Sequence, residues 1–171
     1  MASNVELLGT DMFRAEHHII SLELDEIERE LEAVIQRRGG WRQAVPAFRR
    51  LLVLLEADVE RHAEEEEHLI FSALARLPGG PTPTLTACYR EHRDLRLEAE
   101  GLRRGLSHAF AGSPPPEREL FVRSASLIGL LRVHMAREDE VLFTAAEQEL
   151  SREDLLRMSR LCPISSHPKA A

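Results

Sequence analysis

The sequence predicts an all-α fold, an up-down-up-down four-helix bundle followed by a short C-terminal helix. Three observations carry this. Clusters of Gly and Pro cut the chain into four long segments, each segment bears an apolar stripe at steps of three and four, and only nine prolines, nine glycines and a single tyrosine point away from an all-β or disordered chain.

The first helix is expected over 11–38, ended by Gly39-Gly40, and the second over 42–77, ended by Pro78-Gly79-Gly80-Pro81. The third runs over 83–110, up to Gly112-Ser113, and the fourth over 116–149, after the run Pro114 to Pro116. Ser151, followed by Glu153 and Asp154, reads as the cap of a short fifth helix, and Ile164 to Ala171 as a loose tail. A chain of 171 residues makes one domain the expectation, with the bundle in 1–150 and the short helix and tail in 151–171.

Apolar residues are 43% and charged residues 30%, an ordinary globular balance. The net charge of -7 is not relieved by any basic stripe, so nucleic acid is not an expected partner. No run of about 18 apolar residues occurs, which leaves no candidate membrane span. Cys88 and Cys162 are too few for a disulfide framework, and the start MASNVELLGTDMF lacks a basic-then-apolar leader, so a cytoplasmic location is expected.

The apolar stripes are interrupted by histidine or by histidine plus glutamate. Helix one reads Phe13, His17, Ile20, Leu24, and helix three Leu85, Cys88, His92, Leu95. Helix two reads Leu55, Val59, His62, Glu66, Leu69, and helix four Leu131, His134, Glu138, Val141, Ala145. The interruptions repeat: Glu16-His17 is echoed by Glu91-His92, and His62-x3-Glu66-x4-Phe71 by His134-x3-Glu138-x4-Phe143. His17 and His62 are 45 positions apart, His92 and His134 42, which implies an internally duplicated helix pair.

Antiparallel neighbours put residues equally distant from a shared turn at one height. His17 lies 21 positions before Arg38 and His62 21 after Trp41; Glu66 lies 11 before Leu77 and His92 11 after Pro81. His92 lies 19 before Ala111 and His134 19 after Pro115, so all four helices bring their polar residues to one layer. Each glutamate stands one turn after its histidine, on the same helix face. Buried and unpaired, two carboxylates would cost several kcal/mol, so a cation is expected to compensate them.

Four imidazoles and two carboxylates form a metal-ligand set: His17, His62, Glu66, His92, His134 and Glu138. Imidazole mixed with carboxylate suits iron best, with manganese or zinc also compatible, and disfavours calcium and Fe-S clusters. The glutamates, on opposing helices, could bridge two ions and leave positions for a bridging oxygen and a small exogenous ligand.

A single histidine on an apolar stripe is more often a satisfied core residue, and it is the duplicated set of six that favours metal. His18 is the rival of His17 but falls on the stripe with Leu22; Glu65 is the rival of Glu66, and the rest of the run Glu64 to Glu67 reads as a solvated face. His68, His108 and His167 read as surface residues and Cys88 as a small core residue. Tyr89 reads as packing, with a bond to a metal-bound oxygen as the other option, and Arg96 as solvated or paired with an outer carboxylate. The ferritin-like pattern wants Glu-x2-His on two helices, and here only Glu65 to His68 has that spacing.

Over about 11–149 the order H, HxxxE, H, HxxxE resembles the hemerythrin-like, or HHE cation-binding, domains. That resemblance implies a cofactor of two iron ions, oxo- or hydroxo-bridged and spanned by Glu66 and Glu138, with His17, His62, His92 and His134 completing the coordination. Oxygen-carrying hemerythrins have a further histidine one turn along the third helix, where this chain has Cys88 and Arg96. The resemblance therefore implies an open di-iron site that binds or reacts with oxygen, peroxide or nitric oxide. The alternatives are redox turnover (peroxide disproportionation or nitric-oxide reduction) and iron sensing, delivery or iron-centre repair. No protein partner is implied.

Overall fold

The computed structural model describes residues 6–113 and 117–161, with the backbone alone at Glu117. Among them there is no strand. Four long helices and a short fifth appear in the expected order: α1 is Gly9–Gln36, α2 covers 41–75, α3 is Pro83–Phe110, α4 covers 117–149 and α5 is Arg152–Leu161. Cys162, His167 and the expected tail from Ile164 lie outside the described residues.

Local chemistry sets the boundaries. The Leu8 amide donates to Asp11 Oδ2 at 2.9 Å, which starts α1 two residues earlier than the stripe alone predicts. Thr82 Oγ1 accepts from the Leu85 amide at 3.2 Å, with Pro83 in the first turn of α3, where its missing N–H is not needed. Ser151 caps α5 as expected, accepting from the Asp154 amide at 3.1 Å. No described helix is long and apolar enough to cross a membrane.

The two helices that carry a His-x3-Glu pair are not uniform α-helices. In α2 the turns Leu54–Val59 and Glu67–Phe71 are π-helical, and in α4 so is Glu138–Leu142. A π turn holds one residue more than an α turn and rotates everything beyond it. The expected seam is therefore corrected past each glutamate: Ile70 and Phe71 are buried rather than Leu69, and Leu142, Phe143 and Ala146 rather than Val141 and Ala145. Earlier in α2, Leu51 and Leu54 take the buried place expected of Leu52.

The apolar core lies in two parts. The larger runs from Ile20, Leu24 and Ile27 of α1 across Phe48, Leu51 and Leu55 to Leu102 and Leu127. The smaller gathers Phe13, Ile70, Phe71, Leu85, Phe143 and, from α5, Leu155 and Met158. Each fully buried Phe or Leu contributes about 1.5–3 kcal/mol relative to an exposed one. Between the two parts sits the layer of histidines and glutamates, and α5 covers the end of the bundle nearest to it. The fit of α5 on α1 is close, because a Cβ on Gly9 would stand 2.7 Å from the Met158 Cβ.

Candidate metal centre

All six expected residues meet in this layer: His17, His62, His92 and His134 are 2–3% exposed, and Glu66 and Glu138 are fully buried. They form two overlapping groups, His17, His62, Glu66, Glu138 and Glu66, His92, His134, Glu138, in each of which one ligand atom per residue lies within 4.8 Å of all the others. Both glutamates belong to both groups. His18 is exposed, and Glu65 is half-buried and bound to Arg61 at 2.8 Å, so neither rival enters the layer. His68 and His108 are exposed, as expected.

The Nε2 atoms point inward. Glu66 Oε1 is 3.2 Å from His62 Nε2 and 3.6 Å from His17 Nε2, while its Oε2 is 3.4 Å from His92 Nε2. Glu138 Oε2 is 3.1 Å from His134 and 3.5 Å from His17, with Oε1 3.6 Å from His92. All four carboxylate oxygens and His92 Nε2 are buried without a hydrogen-bond partner.

The Nδ1 atoms point outward, each to a carboxylate: His17 to Asp139, His62 to Glu16 and His92 to Glu67, all at 2.8 Å, and His134 to Glu91 at 3.1 Å. An ionised carboxylate only accepts, so Nδ1 carries the proton and donates, which leaves the Nε2 lone pair facing the centre. Arginines hold three of these carboxylates. Arg61 reaches Glu16 at 3.1 Å, Arg96 reaches Glu67 at 3.2 Å, and Arg137 pairs with Glu91. The fourth, Asp139, receives Arg14 on its backbone carbonyl at 3.3 Å.

These four carboxylates were missed as a set in the sequence. Glu16 and Glu91 stand in the repeat with no role assigned, and Glu67 reads there as solvated surface. Their signal is positional: an acid precedes His17 and His92, and another follows Glu66 and Glu138. The residues in question also resolve. Arg96 pairs with Glu67 and, at 2.8 Å, with Glu60; Tyr89 packs edge-on against Phe71; and Cys88 is a buried free thiol pushed up to about 12 by burial and the nearby charges of Glu138 and Glu66.

Aromatic rings wall the layer. Phe143 stacks on His17 with centroids 5.5 Å apart, Phe71 stacks on His92 at 5.2 Å, and Phe13 meets His62 edge-on at 5.4 Å. The two Phe contacts at x4 beyond each glutamate are thus equivalent under the duplication, and the π turn is what aims them.

Electrostatics without metal are strained. Burial lowers the tendency of His62 to hold a proton, but the charges of Glu66 and Glu16 and the bond to Glu16 overcome it and raise the ring to about 10; His92 reaches about 10 through the charges of Glu138 and Glu66 against the same burial. Burial and the charge of His92 push His134 down to about 3. Burial and the charge of Glu66 push Glu138 up to about 8. Burial also disfavours charge on Glu66, yet His62 and its neighbours hold that carboxyl well below the usual range.

The donor set fits a pair of cations. Four orphaned carboxylate oxygens surrounded by inward lone pairs are what two metal ions would satisfy, whereas protons satisfy them only by setting the two glutamates against each other. No curated protein and no solved structure matches the chain. A family model does: that of the Hemerythrin HHE cation binding domain, over residues 8–146. The match spans the four-helix bundle and both His-x3-Glu motifs, and the chain belongs to the hemerythrin HHE cation-binding domain family.

Proposed function

We propose that His17, His62, His92 and His134, with Glu66 and Glu138 shared between them, hold two iron ions, and that the centre binds or reacts with a small oxidant: oxygen, peroxide or nitric oxide. The observation that carries the reading is the pair of fully buried glutamates whose four oxygens have no hydrogen-bond partner and lie 3.1–3.6 Å from the four inward nitrogens. Imidazole-rich donors suit iron better than manganese, and zinc, having no redox chemistry, offers nothing to an oxidant. Bound there, such a pair supplies electrons in adjacent positions and open coordination sites to a small ligand.

The chain's own part is positioning. Each outer carboxylate fixes one imidazole in the tautomer that presents Nε2 inward, and raises its basicity as a donor. Arg61 helps to keep Glu16 ionised: despite burial, bonding to His62 and the charges of His62 and Arg61 lower the Glu16 carboxyl below its ordinary value. Phe13, Phe71 and Phe143 exclude water on the α5 side. One turn from His92, neither neighbour adds a donor, since the Arg96 side chain is taken by Glu60 and Glu67 and the Cys88 thiol is held protonated. An ion held by His92 would thus take no further donor from its own helix, and an exogenous ligand could fill the position.

Complete burial of the six donors favours a retained centre over iron carried for delivery. The test is reconstitution with iron followed by peroxide, nitric oxide and oxygen, reading both the spectrum and turnover. A spectral change with one of them supports the reading; repeated consumption of peroxide or nitric oxide makes the protein an enzyme. A loaded centre inert to all three overturns the oxidant reading, and transfer of its iron to an acceptor apoprotein would favour delivery.

A further inference from the structure

The two halves of the bundle are duplicated, so each ought to offer the same path to the centre, and they do not. Between α2 and α3 a groove of about 390 Å³ reaches His92 along an apolar floor of Leu55, Val59, Ala63, Leu95 and Ala99. Its duplicate, between α1 and α4, is a basin of about 330 Å³ that reaches His17. There Arg14, Arg132 and Asp139 form the walls, and Met135 and Ala136 are the apolar lining.

One exchange stands at the layer itself. Ala63 follows His62, and Met135 follows His134, so they occupy equivalent places beside the layer; both are nearly buried, at 5% and 4%. The longer thioether chain of Met135 lines the α1–α4 basin at the place where Ala63 offers the groove only a methyl group. We infer that the exogenous ligand reaches the metal pair from one side only, through the α2–α3 groove, that Ala63 keeps this route open, and that the route selects small uncharged molecules over anions. This rests on the metal reading above.

Selection follows from the lining. The rim carries three acids, Glu56, Glu60 and Glu100, against Arg96 and Arg103. Both arginines are already paired, Arg96 with Glu60 and Glu67, and Arg103 with Glu100 and at 3.7 Å with Glu56. An anion entering here finds no free cation and then an apolar floor that strips its hydration, whereas nitric oxide, oxygen or neutral peroxide gives up little.

The test uses xenon and nitric oxide as probes. Crystals of the protein pressurised with xenon are expected to show the gas in the α2–α3 groove and not in the α1–α4 basin, and Ala63→Met to lose it. In stopped-flow with the iron-loaded protein, Ala63→Met is expected to slow nitric-oxide association by roughly tenfold, with the resting spectrum and metal content unchanged, and Met135→Ala to change it by less than about twofold. Ala99→Leu, farther from the ligands, narrows the same groove and carries the test should Ala63→Met not fold. The wild type is expected to bind azide more slowly than nitric oxide at equal concentration. A loaded centre whose nitric-oxide association is unchanged in both groove variants, with no xenon in the groove, overturns this inference alone. A wild-type chain that takes up less than one metal overturns the metal reading and this inference with it.

Discussion

The Nε2 atoms of His17 and His62 face each other at 2.8 Å, while the opposite nitrogen of each ring already donates to a carboxylate. Two lone pairs at that distance need a proton or a cation beside them. Metal is therefore expected to contribute to folding as well as to chemistry. At a free-metal concentration of 1,000 times Kd the linkage is about 4 kcal/mol, so chelation should lower Tm by roughly 10 °C. Calorimetry of loaded and metal-free protein checks this, and equal melting would point to a bundle that needs no ion.

The metal-free protein should lose stability as pH rises above neutral. His62 and His92 keep their protons up to about pH 10, against an ordinary 6.5, and Glu138 up to about 8, against 4.5. A raised folded value means a contribution fully present below the unfolded value and lost on passing the folded one, so the native state out-binds the unfolded chain between pH 6.5 and 10. His134, lowered to about 3, acts the other way and only below pH 6.5. The urea midpoint of the metal-free protein should fall from pH 7 to 10, and that of the loaded protein should stay flatter. Loading at pH 7 should release roughly three protons per chain, read by titration calorimetry in buffers of different ionisation enthalpy.

The outer carboxylates should matter to metal and little to folding. Glu16→Gln and Glu91→Gln each remove a charge from an Nδ1 partner and are expected to weaken metal binding by about 10- to 100-fold. Glu64→Gln, exposed in the same acidic run as Glu67, should leave affinity unchanged. Competition with a coloured chelator separates the two outcomes, and equal effects from all three would remove any special role for the pairs.

How far the sequence reveals this centre depends on which physics places each residue. The helices and the common height of His17, His62, His92 and His134 follow from breakers and from a 1.5 Å rise, both of which are local. Past Glu66 and Glu138 the local rule fails, since a constant 3.6-residue period leads to Leu69 and Val141, and the π turns hand those places to Ile70 and Leu142. No residue type announces such a turn; with it, Phe71 and Phe143 stack on the rings of His92 and His17. Glu67 was misread for a related reason, because a glutamate among glutamates looks solvated until the neighbouring helix supplies an imidazole.

Two glycines should respond with opposite signs to the same change. Gly9→Ala puts a Cβ 2.7 Å from the Met158 Cβ and must push α5 away from α1, a loss of about 1–3 kcal/mol. Gly129→Ala meets nothing within 4 Å on an exposed helix face and should gain roughly 0.5–1 kcal/mol. Urea unfolding of both variants measures the pair, and a harmless Gly9→Ala would mean that α5 does not dock as described.

The central claim is that six side chains hold two metal ions, and metal content tests it most directly. Protein grown with iron, or reconstituted with ferrous iron without oxygen, should carry two irons per chain by elemental analysis, with the charge-transfer absorption of a coupled ferric pair once oxidised. Glu66→Gln and Glu138→Gln should each fall well below two. Less than one metal per wild-type chain after anaerobic reconstitution would contradict the account and leave the buried glutamates without a counter-ion.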